Sequence, residues 1–334
     1  MAQVIFDDAL SALKRLPECA ADMCVTSPPY YNLRDYGIEC QVGTEKTPEE
    51  YIKRLVDIFH EVKRVLKDDG TLWIVIADSY AGSGKGRNKS GKTGLLNNKK
   101  QVSNTGSHTG TLIKTTATNC KSKDLIGIPW LLALSLRDDG WYLRSDIIWD
   151  KSGNVFPESV KDRCTKSHEY IFMLAKSQKY YYDAEAIKEP VAESSLKRAQ
   201  YGWHGKGVNN SGNYAGLPQT NKMGTRFVKP SGRNKRDVWH INTHSYSKGH
   251  YAAYPPELIR PCIKAGSRAR GIVLDPFLGS GTTALVALQE GRDYIGIELQ
   301  KEYEPLIYER IGNAVEQADS KQYVCVSGKG DKKI

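Results

Sequence analysis

The stretch VTSPPYYN, Val25 to Asn32, sets a hydroxyl, two prolines and two aromatic rings directly after an apolar run. That run, Ala21 to Val25, has the length and β-branched ending of a short buried strand. Pro28 and Pro29 stop the strand, because neither offers a ladder N–H and each holds its predecessor extended. Ser27 and Tyr30 therefore project from a stiff elbow at a strand's end, although the same pattern also suits a plain exit turn. A second cluster, LDPFLGSGTTALVAL from Leu274 to Leu288, reads as a strand, a turn at Gly279 and Gly281, and a helix opening near Thr282. Glycines there let a ligand approach the backbone, and a helix N-terminus offers free N–H groups. Glu298 ends the next strand, DYIGIEL, where an acid accepts hydrogen bonds from the two hydroxyls of a ribose. A lone G-x-G also marks an ordinary tight turn, but Asp275 and Glu298 on adjacent strand ends favour an adenosine-containing ligand.

Three other patterns carry less. Gly86 to Thr93, GRNKSGKT, matches the phosphate-loop spacing, but that mechanism needs an apolar helix to follow. The continuation GLLNNKKQVSNTGSHTG cannot pack as one, so the match is rejected. His240, His244 and His250 lack the framework and the further ligand that zinc requires, and are read as facing solvent or DNA. Cys262 follows Pro261 within an apolar helical stretch and is read as a core cysteine rather than a nucleophile. The seven cysteines include no C-x-x-C pair, so neither a disulfide framework nor a metal site is expected.

The elements that must hold the two clusters alternate between helix and strand. Residues 47–70 predict a helix: Thr47 as N-cap, Pro48 at its first position, Glu50 completing a capping box, and Gly70 ending it. Tyr51, Leu55, Ile58, Phe59, Val62 and Leu66 recur along it at helical spacing. A buried strand over 71–78, a helix over 124–140 and strands over 141–149 and 169–176 follow. The C-terminal part reads as a helix over 255–266, a strand over 271–277, the glycine turn and helix over 279–291, a strand over 293–299 and a final helix over 300–317. The order predicts an α/β fold with a doubly wound, mostly parallel sheet. There is no internal repeat.

The charge is unevenly placed. Residues 81–123 hold nine Lys or Arg and no acid, and residues 194–236 hold nine more and again no acid. Of the net +10, these two arms contribute +18, leaving the rest of the chain at −8. An acidic body with two basic arms fits a polyanion gripped in one place, most simply nucleic acid. Both arms are rich in Gly, Ser and Asn without periodicity, as long loops are. The first begins just after Asp78, at a strand's carboxyl end, where open α/β sheets place their ligands. No apolar stretch approaches the length of a membrane span. The opening residues carry acids where a secretory signal would be basic and then apolar, so the protein is expected in the cytoplasm.

TSPPY together with DPFLGSGTT resembles the amino-methyltransferases of DNA, which methylate the exocyclic nitrogen of cytosine or adenine using S-adenosyl-L-methionine. VIFDDAL looks like that family's N-terminal acidic motif, with Asp8 at the position that contacts the adenine end of the cofactor. WDKSGNVFPESVKDRCTKSHEY looks like its W-x-K…P…HE segment. HYAAYPPELI looks like the segment that precedes the cofactor loop and helps close the methionine pocket. The catalytic motif precedes the cofactor motif, as in the permuted group called β. The resemblance implies a bacterial or phage enzyme with a Rossmann-like S-adenosylmethionine-dependent methyltransferase fold and basic loop insertions. It divides the chain into a catalytic half over 1–80 and 124–193, a basic loop insertion over 81–123, and a target-recognition region over 194–249. A cofactor-binding half over 250–320 and a tail over 321–334 complete it.

By the same resemblance Ser27, Pro28, Pro29 and Tyr30 are the catalytic residues. Asp8, Thr26, Asp275, Pro276, Phe277, Gly279, Ser280, Gly281, Thr282, Thr283 and Glu298 form the cofactor site. Lys85, Arg87, Lys89, Lys92, Arg198, Lys206, Arg226, Arg233, Lys235 and Arg236 are the expected contacts to double-stranded DNA. An exocyclic amine is a poor nucleophile because its lone pair is delocalised into the ring. Ser27 Oγ and the Pro28 carbonyl, held rigidly, can accept its hydrogens and free that lone pair, while Tyr30 stacks on the extruded base and Tyr31 packs beside it. Family members with Ser before the two prolines more often methylate cytosine N4, and those with Asp or Asn adenine N6. An adenine-N6 enzyme, an RNA methyltransferase and a non-catalytic DNA-binding protein are the alternatives. A cognate restriction endonuclease is the further partner the resemblance suggests, and the chain is expected as a monomer or homodimer.

Overall fold

A computed structural model describes residues 2–33, 41–81, 120–151, 153, 160–191, 193–194, 232–243 and 254–312. The chain divides into two compact units, Met1–Tyr182 with Asp237–Ile334, and Asp183–Arg236.

In the first unit, β1 (Gln3–Phe6), α1 (Ala9–Arg15) and β2 (Ala21–Thr26) lead into α2 (Pro48–Val65) and β3 (Leu66–Ile76). Thr47 caps α2 by accepting from the Glu50 N–H at 3.2 Å, and Glu50 reaches back to the Lys46 N–H at 3.1 Å. The helix is shorter than the spacing predicts. It ends at Val65, where Leu66 turns extended and pairs with Ala21. Met23 pairs with Thr71, so residues 67–70 bulge out of the ladder. Lys67 folds there onto the buried Asp22, with its Nζ 2.9 Å from each carboxylate oxygen. Gly70 closes this bulge rather than a helix: a Cβ on it would lie 2.9 Å from the Lys67 carbonyl and 3.1 Å from that of Asp22. A tertiary contact, the Asp22 side of β2, thus competes with the last helical turn and wins.

The chain continues through α3 (Ile128–Asp138), β4 (Tyr142–Asp150), β5 (His168–Ala175) and β6 (Val238–His240). It then forms α4 (Pro256–Gly266), β7 (Ile272–Asp275), α5 (Thr282–Gln289) and β8 (Asp293–Glu298). The expected final helix is broken into a short 3-10 turn, Lys301–Tyr303, and a helix α6 over 304–312. The strands order as β1-β8-β7-β2-β3-β5-β4-β6. All neighbours are parallel except those of β5, which runs against both β3 and β4. The sheet is thus doubly wound and mostly parallel, as the alternation predicts.

Both faces of the central strands are covered, which is why β2, β3, β7 and β8 are apolar without clean alternation. Cys24, Leu72, Ile74 and Phe172 point into one core with Leu13 of α1, Phe59 of α2 and Leu132 of α3. On the other face Met23 and Trp73 lie beneath α4, whose Gly266 rests against both. From β2 the chain winds one way, through β3, and from β7 the other way, through β8. The crevice between β7 and β2 is therefore the topological switch point, where open sheets bind ligands. No helix among the described residues is long and apolar enough to cross a membrane.

In the second unit, Asp183 accepts from the Ala186 N–H at 3.0 Å to start a 3-10 turn, Glu185–Ile187, and Glu189 pairs antiparallel with Arg233. Phe59 is wholly buried on α2. Phe59→Ala is expected to cost about 3–5 kcal/mol, seen as a lower urea midpoint at an unchanged m-value.

Candidate active site

The elbow begins where β2 runs out. Thr26 is buried, Ser27 half-buried and Pro28 buried. The Pro29 carbonyl accepts the Tyr51 hydroxyl of α2 at 2.9 Å, so the helix that packs on the sheet also clamps the elbow. Tyr31 does not stand beside Tyr30. It turns into the core at 3% exposure, with its ring 5.4 Å from that of Tyr51, because the residue after the elbow points to the opposite side. Tyr30 is half-buried and donates its hydroxyl to Glu169 Oε2 at 2.7 Å. Burial and the neighbouring Glu169 carboxylate push the phenol's pKa well up, so it stays protonated and acts as a donor. Glu169 in turn forms an ion pair with Lys151.

Asp275, at the end of β7, is 1% exposed and joins the elbow to the glycine turn. Its Oδ1 accepts from Thr26 Oγ1 at 2.5 Å and from the Phe277 N–H at 3.0 Å. Its Oδ2 accepts from Thr283 Oγ1 at 2.5 Å and from the Tyr254 hydroxyl at 3.2 Å. Burial raises the pKa of this carboxyl even against those four donors. Pro276 is buried behind it, and Phe277 is half-buried.

The turn itself is built for a close backbone approach. Gly281 caps α5 with φ +83°, a conformation that favours glycine, and Gly279 also has positive φ. Ser280 and Thr282 point away from the crevice. Arg310 of α6 holds Ser280 Oγ at 2.5 Å and Thr282 Oγ1 at 2.9 Å, and Ile307 of the same helix packs behind Gly281. Glu298 accepts from the Gly279 N–H and from the Gln300 N–H, each at 2.8 Å. Burial outweighs those bonds and lifts its pKa to about 7. Phe6 pairs with Glu298 across β1 and β8, which brings Asp8 to the same edge. Asp8 there caps α1, accepting from the Ser11 N–H at 3.0 Å.

The fold therefore gathers Ser27, Pro28, Pro29, Tyr30 and all the expected cofactor residues at one end of the sheet. It assigns the hydroxyls of Thr26, Ser280, Thr282 and Thr283 to internal partners, because these side chains are buried. The sequence reading placed Tyr51 only on the apolar face of a helix and did not single out Lys151, Glu169, Tyr254 or Arg310. Tyr254, Lys151 and Glu169 lie inside segments that carry the resemblance, whereas Arg310 has the pattern of a solvent-facing helix residue.

The basic residues are less clear-cut. Lys85, Arg87, Lys89, Lys92, Arg198, Lys206 and Arg226 lie outside the described residues, as do the phosphate-loop match, His244 and His250. Arg233, Lys235 and Arg236 converge on one carboxylate, Glu189, at 3.1, 3.8 and 3.3 Å. Their charge is partly neutralised and leaves a local surplus. Asp78 caps α3, accepting from the Gly127 and Ile128 N–H groups at 3.0 Å each. His240 is exposed, with Nδ1 2.6 Å from Asp150, and Cys262 is buried. Among the described residues no group of three or more His, Cys, Asp or Glu could hold a metal ion.

The profile of the DNA methylase family matches residues 21–309. The type II methyltransferase M.Cfr9I of Citrobacter freundii is 44% identical over 304 residues, spanning 91% of this chain and 85% of that protein. Among solved structures, the PvuII DNA methyltransferase, cytosine-N4-specific, has a TM-score of 0.59 at 17% identity, covering 92% of this chain and 85% of that one. A Thermus thermophilus protein described as a DNA modification methylase, solved in complex with S-adenosyl-L-methionine, has a TM-score of 0.54 at 21% identity and covers 94% and 96%. The elbow, the glycine turn and these likenesses converge, and the chain belongs to the DNA methylase family as an amino-methyltransferase of the type II restriction–modification kind.

Proposed function

We propose that the protein transfers a methyl group from S-adenosyl-L-methionine to the exocyclic N4 of a cytosine extruded from double-stranded DNA. The observation that carries this is the bond from Thr26 to Asp275, which ties the residue before Ser27 to the glycine turn across the switch point. Donor and acceptor of the methyl group are thereby held on two strands that cannot slide apart. The choice of cytosine N4 rests on Ser27.

The residues at the crevice fit the cofactor. Gly279 and Gly281 leave the turn open for a ligand's polar groups, and Glu298 stands where ribose hydroxyls would donate. S-adenosyl-L-methionine supplies a methyl group on a sulfonium, which needs no activation by the protein. The protein's work is on the nucleophile and the geometry. Ser27 Oγ and the Pro28 carbonyl accept hydrogen bonds from the amine and draw its lone pair out of the ring. Tyr30 offers its face to the extruded base, and alignment with the methyl group supplies much of the rate. The basic arms, including the 194–249 region as the target reader, hold phosphates on either side.

Four outcomes are expected. Ser27→Ala lowers kcat by about 10²–10³-fold with cofactor Kd unchanged, and the wild-type product on mixed-sequence duplex, digested to nucleosides, is N4-methylcytosine by mass spectrometry. N6-methyladenine would reassign the base while keeping the mechanism. Glu298 accepts most strongly from ribose hydroxyls, and with both oxygens, when ionised, and its pKa of about 7 exceeds the usual carboxylate value. Cofactor affinity should therefore rise with pH, by up to about tenfold per unit, to about pH 7 and level off above it, and Glu298→Gln should flatten the titration. Neutralising Lys206 and Arg226 should weaken DNA binding and shallow its salt dependence without altering cofactor Kd, and loss of both bindings in a folded variant would sink the division of labour.

A further inference from the structure

The residues that reach the exposed side of the elbow come from the strand pair β4–β5. Because β5 runs against its neighbours, its first residues lie at the edge of the sheet where β2 and β3 end. Glu169 there holds the Tyr30 hydroxyl with Oε2, while Oε1 takes the ammonium of Lys151. Lys151 also lies over the Trp149 ring, 4.5 Å from its centroid, so the cation is itself fixed. The Glu169 side chain is 13% exposed and that of Lys151 22%. A carboxylate so enclosed is costly without a cation, and Lys151 provides it. A charged acceptor holds the phenol more firmly than a neutral one would. The angle of the Tyr30 ring is thus set by an ion pair as well as by packing.

We propose that Glu169, paired with Lys151, is a positioning residue that fixes the Tyr30 ring for the extruded base and so governs the rate of methyl transfer. The proposal rests on Ser27 and Tyr30 acting as described above. Without the anchor the ring swings about its side-chain torsions, and the base stacked on it moves off the line of transfer.

The test is methyl transfer by the purified full-length chain from tritiated S-adenosyl-L-methionine onto mixed-sequence plasmid DNA, with cofactor Kd and Tm measured alongside. Glu169→Gln and Tyr30→Phe should each lower kcat by about 100-fold with cofactor Kd and Tm unchanged. The double variant should lose no more than the worse single one, because both break one contact. Lys151→Met should follow Glu169→Gln, and Lys151→Arg should recover most of that loss. Wild-type kcat in Glu169→Gln, additive losses in the double variant, or losses that track Tm would overturn the proposal. If Glu169→Gln does not fold, Tyr30→Phe and Lys151→Met carry the same test. If neither Ser27→Ala nor Tyr30→Phe slows the reaction, the catalytic reading itself fails. If Tyr30→Phe slows it and Glu169→Gln does not, only the role of Glu169 falls.

Discussion

Asp275 is a carboxyl group taken wholly out of water, and four donors from separate parts of the chain close around it. A buried acid without partners would be among the most costly features a fold could carry. Here the partners are what join the machinery. Thr26 brings the end of β2, Phe277 the turn after β7, Thr283 the first turn of α5 and Tyr254 the entrance to α4. Removing any one donor would leave the others arranged around an under-satisfied group. The carboxyl therefore works as a shared anchor, and the elbow and the glycine turn cannot shift independently.

Around that anchor each side is braced from behind. Tyr51 holds the Pro29 carbonyl from α2, whose apolar face is already fixed by the core, so the elbow inherits the rigidity of the helix. Arg310 and Ile307 hold the glycine turn from α6. Glu169 and Lys151 reach Tyr30 from the β4–β5 pair. Prolines restrict the backbone of the elbow, but only these contacts decide where its side chains point. Glu298 differs in kind: burial raises its pKa to about 7, well above the usual carboxylate range.

The charge distribution complements this rigid body. The acidic remainder of the chain and the two arms, each with nine basic residues and no acid, set opposite charges apart along the sequence. Glu189 shows why counting cations overstates an interface. Three of the residues expected at phosphates are gathered on its one carboxylate, with only the surplus left for a partner.

How much was legible in the chain varies by residue. The prolines at 28 and 29, the glycines at 279 and 281 and the strand-end positions of the acids at 275 and 298 are legible locally, because ladder hydrogen bonding, backbone freedom and strand alternation act over a few residues, whereas the use of Asp275 as an internal anchor for Thr26 and Tyr254 is not. The helix cap at Thr47 and the doubly wound sheet follow from the same short-range rules. The end of α2 does not, because the bulge at residues 67–70 answers to Asp22, which is distant in sequence. Nor does the burial of Tyr31, the capping of α3 by Asp78 or the reach of Arg310 to Ser280. Each depends on which donor meets which acceptor once the sheet is assembled. The amino-acid sequence by itself determined the chemistry available, a serine elbow, a glycine turn and their acids, since residue type and short spacing suffice for that. Only the tertiary structure decided which hydroxyls are spent inside the protein and which residues hold Tyr30 in place, since buried polar groups must find partners wherever the fold puts them.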